Sequence, residues 1–186
     1  MDKISTPIPG CYEIPLRKHQ DQRGSFVKTF NSTPAIEAGL LSQFREIYHS
    51  YSHRGVLRGL HFQTPPHDHA KAVTCLSGSV FDVVLDLRKR SPTYLKWHSF
   101  QLSSATPTLV WIPRGCAHGF YVNGDHGHLL YLVETEHSPQ HDTGIRWDSA
   151  SIEWPIENGT PLTISDRDAK LTTLDNFETP FAWTDK

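Results

Sequence analysis

The segment RGLHFQTPPHDHAK, residues 58–71, places three histidines between an arginine and a lysine. Histidine side chains can bind a metal ion or accept a proton near neutral pH, and a neighbouring lysine can stabilise negative charge. A third interpretation is that the histidines lie on a solvent-exposed turn. The segment therefore allows a metal centre, a proton-transfer site or a surface loop.

A metal centre would need a further acidic ligand close to the histidines. His67 and His69 form an H-x-H pair, and IPRGCAHGF contains a P-x-G-x-x-H pattern that ends at His118. These patterns are similar to the two cupin motifs, whose metal-binding members add a glutamate after H-x-H. Val73 and Thr74 stand at the corresponding positions, and a first-row metal needs a nearly complete ligand set. We therefore predict no metal ion, and we interpret His67 and His69 as solvated turn residues.

Charge and composition restrict the class of protein. The 186 residues include 18 Lys and Arg against 20 Asp and Glu, which argues against a nucleic acid or an anionic membrane as partner. No segment approaches the roughly 20 apolar residues of a membrane span. Cys11, Cys75 and Cys116 are widely spaced and form no CxxC, so a reducing environment fits best. We expect one soluble cytoplasmic domain covering residues 1–186.

The apolar pattern along the chain predicts an all-β fold. In GSVFDVVLDLRK, residues 78–89, apolar side chains at odd positions alternate with Asp82, Val84 and Asp86, which predicts a half-buried strand. Similar runs predict strands at 25–30, 45–52, 56–63, 71–78, 96–103, 108–113, 118–123 and 128–137. Helices are expected only at 32–41, with Ser32 as a possible N-cap, and at 165–174. This spacing of short strands is typical of a sandwich or barrel.

The turn TPPHDH is expected to fold the strand at 56–63 back against the strand at 71–78. This hairpin would bring His61 close to Lys71. Strict alternation puts Arg58 and His61 on opposite faces of their strand. They could share one site only if Gly59 marks a bulge or if the site lies at an edge.

Several longer motifs occur in one collinear order between about Arg23 and Asp168. They are RGVLRGLHFQTPP, VFDVVLDLRKRSPTY, LVWIPRGCAHGF, LLYLVET, GIRWD, IEWP and SDRD. Together they closely resemble the dTDP-4-dehydrorhamnose 3,5-epimerase family. The resemblance implies a double-stranded β-helix, the cupin-like jelly roll, with short accessory helices. It also implies a homodimer that needs no metal or other cofactor and acts on a 4-keto-6-deoxy sugar linked to a nucleotide diphosphate.

In this family a proton leaves the carbon beside the C4 ketone and returns on the opposite face through an enolate. Such chemistry needs a base, an acid and a cation at the ketone oxygen. The resemblance implies that His61 is the base, with Asp168 as its carboxylate partner. It assigns Lys71 to the enolate oxygen and Tyr131 to the returning proton.

The resemblance also suggests substrate-binding residues. Arg23 and Arg58 match arginines that bind the nucleotide and diphosphate, for which the guanidinium fork is suited. His118 matches a histidine of the site, while Asp142 and Arg167 occupy further positions of substrate contact.

The departures from the family lie in the nucleotide pocket. Lys28 replaces the glutamate that contacts the base, and Glu46 and Tyr48 stand in the segment that is Gln-Asp-Asn in the family. His137 replaces the tyrosine that stacks on thymine. The lysine ammonium can only donate hydrogen bonds, and the N3–H of thymine needs an acceptor. We therefore expect CDP- or GDP-linked sugars to be preferred over dTDP-linked ones.

Two other classes of function remain open. One is a non-catalytic protein that binds nucleotide sugars, since a pocket can outlast its chemistry. The other is a metal-dependent cupin enzyme. Within the epimerase class, the sequence leaves open whether C3, C5 or both centres are inverted.

Overall fold

The computed structural model describes residues 2–40 and 43–184, which form mainly antiparallel strands. The first strands are β1 (Ile4–Ser5), β2 (Tyr12–Pro15), β3 (Lys18–Asp21) and β4 (Gly24–Val27), followed by helix α1 (Ser32–Glu37). The central strands are β5 (Glu46–His53), β6 (Leu57–Gln63), β7 (Lys71–Asp86), β8 (Trp97–Ser103), β9 (Thr108–Ile112), β10 (Cys116–Tyr121), β11 (His126–Val133) and β12 (Asp142–Gly144). Helix α2 (Asp166–Ala169) and a 3-10 turn (Leu174–Asn176) follow. The all-β prediction is confirmed.

The strands form two sheets that share β7. The first sheet has the order β1-β2-β9-β7-β11-β5, and the second has the order β8-β7-β10-β6-β12. Side chains from both sheets meet in one buried core, which includes Val73 and Leu129 from the first sheet and Val84 and Phe120 from the second. Strands β3 and β4 form a separate hairpin.

Strand β7 is 16 residues long and unites two runs that the sequence suggested as separate strands. Its first half pairs with β9 and β11, and its second half pairs with β8 and β10. The chain passes between the sheets near Gly78, where φ is +77° and an added Cβ would collide with the carbonyl oxygen of His126. A glycine in a strand pattern thus marks a crossing between sheets here, and not a turn.

The prediction of a half-buried strand at 78–89 is wrong, because both faces of this segment are buried. Val83 and Leu85 pack beneath Phe177 and Phe181 of the C-terminal segment. The opposite face points into the core between the sheets, and Asp82 on that face has no exposed surface. The alternation of polar residues indicated solvent, whereas the structure buries these carboxylates with partners.

The expected hairpin between 56–63 and 71–78 is also wrong. Strand β6 lies between β10 and β12, while the first half of β7 belongs to the other sheet. The TPPHDH segment therefore crosses from one sheet to the other. His61 and Lys71 still converge, because they face each other across the core.

The helices are shorter than predicted. Helix α1 ends at Glu37, and Asn31 occupies the N-cap position that was expected for Ser32. Only Asp166–Ala169 is α-helical within 165–174. Residue 41, the last of the predicted first helix, lies outside the described residues. Within 2–40 and 43–184 no helix has the length and apolar content to cross a membrane.

Candidate active site

Two neighbouring cavities lie among strands β5, β6, β7 and β11. The larger has a volume of about 310 Å³ and the smaller about 190 Å³, and both are lined by Tyr48, His61 and Lys71. The larger cavity also contains the predicted residues Glu46, His137, Asp142 and Arg167. The smaller contains Arg58, His118 and Tyr131.

His61 and Asp168 form a hydrogen-bonded pair. The Nε2 atom of His61 lies 2.7 Å from Oδ1 of Asp168. Asp168 is buried at the start of α2, where the Ser165 side chain caps the helix by accepting the Asp168 N–H. The Gly59 N–H donates to the second carboxylate oxygen. With Nε2–H directed at a carboxylate, Nδ1 carries no hydrogen in the neutral ring and can accept a proton.

The charge of Asp168 is stabilised within this pair. Burial alone would raise the pKa of its carboxyl, but the hydrogen bond and charge of His61, with the Gly59 N–H, bring the pKa below its usual value. The carboxylate therefore stays ionised and can stabilise the imidazolium that forms when His61 takes up a proton.

A bulge in β6 brings Arg58 and His61 to the same cavity. On β10, His118 lies opposite His61 and Phe120 lies opposite Arg58, so β6 has one additional residue between the two pairs. Gly59 lies in this bulge with φ +127°, and an added Cβ would come within 2.5 Å of the backbone of β10. The bulge that the sequence required for a shared site is present.

Lys71 is the first residue of β7 and is 6% exposed. Its ammonium group donates to the carbonyl oxygen of His61 over 3.3 Å. Burial lowers the pKa of Lys71 to about 8, although the carboxylates of Asp142 and Asp82 oppose this shift. A cation with few partners is thus held beside the His61 backbone, where it can bind a developing negative charge.

Tyr131 lies on β11 and reaches the smaller cavity from the first sheet. Its hydroxyl is 3.3 Å from Oγ of Ser50. Its ring packs edge to face with His118, with 6.0 Å between the two ring centroids. Burial raises the pKa of Tyr131 well above its usual value, with only partial opposition from the Ser50 hydrogen bond. The phenol therefore stays protonated until a strong base such as an enolate approaches.

A second His–Asp pair was not foreseen from the sequence. Nε2 of His118 lies 2.7 Å from Oδ2 of Asp82, and both side chains are buried. Asp82 was interpreted as a solvent-facing residue of an alternating strand. The signal that could have identified Asp82 was an acidic residue flanked on both sides by apolar residues of a strand.

His69 is another residue of the site that the sequence interpretation missed. It lines the larger cavity, and its Nδ1 lies 2.6 Å from Oγ1 of Thr135. Burial, and then the charges of Lys71 and Arg114, lower its pKa to about 3. The description of His67 and His69 as solvated turn residues is wrong, because both are half-buried and His67 packs against His141 at 4.4 Å.

The described part of the chain contains no group of three or more His, Cys, Asp or Glu residues arranged to hold a metal ion. The side chains of the H-x-H pair are directed to other partners. Gln63 helps to fix this segment, since its amide donates to the backbone carbonyl oxygen of His67 and lies 3.3 Å from Nδ1 of His69.

Four polar residues, Glu46, His137, Asp142 and Arg167, lie together in the wall of the larger cavity. Arg167 makes an ion pair with Asp142 at 2.7 Å, and Nδ1 of His137 lies 4.0 Å from the same carboxylate. The Glu46 carboxylate accepts the backbone N–H of His137. The wall thus combines one guanidinium with two carboxylates, and an anionic ligand would have to replace Asp142 as the partner of Arg167.

Arg23 and Lys28 are not brought to either cavity of their own chain. Both belong to the region of the β3–β4 hairpin and are exposed. Arg23 is instead paired with Asp21 at 2.6 Å, with 85% of its side chain exposed. The structure thus gathers the other predicted site residues and leaves these two outside.

A jelly-roll core with a cavity equipped for proton transfer defines a cupin-like isomerase. The chain belongs to the dTDP-4-dehydrorhamnose 3,5-epimerase family, whose family model matches residues 5–176. A curated epimerase of this name from Shigella flexneri is 42% identical over 171 residues, covering 90% of this chain and 93% of the relative.

Solved structures agree with this assignment. The 3,5-epimerase of Legionella pneumophila in complex with dTDP-4-keto-L-rhamnose has a TM-score of 0.92 and 31% identity, and 98% and 99% of the two chains are covered. A 3'-monoepimerase from Streptomyces bikiniensis, in complex with dTDP-quinovose, has a TM-score of 0.85 and 28% identity, covering 91% of this chain and 86% of its own. These comparisons confirm the predicted fold, and this enzyme is a nucleotide-sugar epimerase.

Proposed function

We propose that this epimerase inverts one or both carbons beside the ketone of a nucleotide-linked 4-keto-6-deoxy sugar, with His61 as base and Tyr131 as acid. The observation that carries the proposal is that these two side chains reach one cavity from different sheets, with Lys71 beside them. A base and an acid on separate walls can act on opposite faces of one carbon. The product would serve the synthesis of deoxysugars for surface polysaccharides such as lipopolysaccharide.

Each inversion can be written as two proton transfers. Nδ1 of His61 takes the proton from C3 or C5, and the electrons of the C–H bond move to the ketone oxygen. The Lys71 ammonium stabilises the resulting enolate. Tyr131 then donates its proton to the other face of the carbon, and water restores the protonation of both groups.

Deuterium exchange tests this function. In D₂O the enzyme should incorporate deuterium at a carbon flanking the ketone of a dTDP-linked 4-keto-6-deoxy sugar, as observed by NMR. Turnover to an inverted product with no deuterium at C3 or C5 would rule out the enolate route. Tight binding without exchange would indicate a non-catalytic carrier. Activity that EDTA abolishes and a single divalent ion restores would indicate a metal-dependent cupin.

We infer that the enzyme is a homodimer. Strand β5 lies at the edge of the first sheet, and its residues Ile47 and Tyr51 are 61% and 53% exposed to solvent. In the β3–β4 hairpin, Phe26 is 61% exposed. Arg23 and Lys28 occupy substrate-contact positions of the family, yet they lie away from their own cavity. A second protomer that inserts this hairpin would bring both residues to the site.

We also propose that the enzyme works in the cytoplasm. Its three cysteines are buried free thiols, which fits a reducing compartment.

The nucleotide is proposed to be dTDP, in place of the CDP or GDP that Lys28 suggested. The curated relatives are named for dTDP-linked sugars, and Lys28 reaches a base only through a second protomer. We expect calorimetry to show tighter binding of dTDP than of CDP or GDP. In Lys28→Glu, a new acceptor for the thymine N3–H should tighten dTDP binding by about fivefold or more, since a buried donor left unpaired costs about 1–3 kcal/mol.

Sedimentation equilibrium on the same samples should give twice the chain mass of 21.1 kDa. A monomer would contradict the dimer. Unchanged dTDP affinity in Lys28→Glu would contradict the insertion of the hairpin, and tighter binding of CDP or GDP by the unmodified enzyme would contradict the choice of nucleotide.

A further inference from the structure

Tyr48 and Tyr131 are stacked on neighbouring strands. They are directly opposite each other in the pairing of β5 with β11. Their ring centroids are 4.7 Å apart, with an angle of 14° between the ring planes. Tyr48 therefore covers one face of the ring that carries the proposed acid.

Two other neighbours of Tyr131 contact it edge to face and at its hydroxyl, and Tyr48 is the ring stacked on its face. His118 meets the Tyr131 ring at an angle of 70°, and Ser50 reaches the hydroxyl. Tyr131 is 6% exposed, whereas Tyr48 is 42% exposed and borders both cavities. The acid is thus held between a buried histidine and a tyrosine that faces the ligand space.

The ring of Tyr48, and not its hydroxyl, makes this contact. Among the described residues the Tyr48 hydroxyl has no hydrogen-bond partner within the protein. Burial, with the charges of Glu46 and Asp142, raises the pKa of Tyr48 to about 12, so it remains neutral beside Tyr131. Stacking of a neutral ring restricts the rotation of its neighbour.

We propose that Tyr48 is a positioning residue that aims the Tyr131 hydroxyl at the enolate carbon. It thereby sets the fraction of enolates that are protonated on the opposite face and leave as inverted product. Proton transfer depends steeply on geometry, because a displacement of about 1 Å can lower a rate by roughly 10²-fold. This inference deepens the proposed function and depends on its enolate mechanism.

Two variants separate the ring from the hydroxyl. Tyr48→Phe keeps the stacked ring, and Tyr48→Leu replaces it by an aliphatic side chain. In D₂O, NMR gives the ratio of inverted product to deuterium-labelled substrate that has not inverted. We expect Tyr48→Phe to keep this ratio even where KM rises. We expect Tyr48→Leu to lower the ratio by about tenfold or more, with a smaller change in total exchange.

The Tyr131→Phe background shows whether Tyr48 acts through Tyr131. Tyr131→Phe should retain some exchange and lose most inversion, since the base remains and the acid is absent. Adding Tyr48→Leu to this variant should then change exchange little. A further large loss would overturn the proposal, as would equal losses of exchange and inversion in Tyr48→Leu alone. A lowered ratio in Tyr48→Phe would assign the effect to the hydroxyl and would also overturn it.

A measurement without substrate keeps the test independent of the proposed function. NMR of tyrosine-labelled protein should show a slowly flipping Tyr131 ring in the unmodified enzyme and in Tyr48→Phe. The flip should be faster in Tyr48→Leu with an unchanged thermal unfolding midpoint. Equal flip rates in all three proteins would contradict positioning, whereas absence of exchange by the unmodified enzyme would contradict the proposed function itself.

Discussion

Replacing His61 by Asn is expected to reduce deuterium exchange into the substrate by about 10²–10⁴-fold. Asparagine can keep a hydrogen bond to Asp168, but its amide cannot accept the proton of the substrate. The NMR assay in D₂O measures this loss directly, since exchange requires only removal of a proton and its replacement.

His118→Asn is the matched control for this prediction. His118 also pairs with a buried carboxylate and lines the smaller cavity, so it has comparable surroundings. Its replacement should affect exchange less than that of His61. If His118→Asn abolished exchange and His61→Asn retained it, the base would be His118 and the assignment to His61 would be wrong.

Replacing Lys71 by Gln is expected to lower kcat/KM by about 10²–10³-fold, the range found when one donor to a developing oxyanion is removed. Glutamine has a similar length and can donate a hydrogen bond, but it carries no charge. Since the ammonium is almost fully buried, little solvent is available to replace it. Steady-state kinetics with the dTDP-linked keto sugar measures the effect, and a loss of less than about threefold would exclude Lys71 as the main stabiliser of the enolate.

The pH dependence gives a second test of Lys71. Because burial lowers its pKa to about 8, the ammonium is charged below that pH and neutral above it. The kcat/KM of the unmodified enzyme should therefore fall as pH rises through about 8. Lys71→Arg should be slower but should retain its remaining activity to higher pH, because guanidinium stays protonated. If kcat/KM fell at the same alkaline pH in both proteins, the fall would belong to another group.

Short apolar runs bounded by turn residues identified most of the central strands, because buried strands leave this trace in the sequence. This pattern could not identify which strands pair, since pairing depends on segments far apart in the chain. Gly78 shows the limit: the pattern suggested the end of one strand, while the structure continues β7 through it into the second sheet. Whether the polar face of that strand meets solvent or a second sheet is likewise decided outside the strand.

The site shows the same division. Motifs indicated His61, Lys71, Tyr131 and Asp168, and the structure places the first three around one cavity with Asp168 hydrogen-bonded to His61. The role of His69 depends on Thr135, which lies 66 residues further along the chain. A local interpretation of a turn histidine therefore had no means of finding it.

The length of β7 has a consequence for how the enzyme fails. Lys71 begins this strand and Asp82 lies in its second half, while four other strands are hydrogen-bonded along it. Displacing Lys71 or Asp82 by opening β7 therefore means breaking the ladders that hold both sheets together, and such an opening requires nearly the full free energy of unfolding. Partial melting is therefore not expected to free these two side chains while the rest of the enzyme stays folded. Destabilising changes elsewhere in the chain should instead reduce the number of active molecules and leave the turnover of each one intact.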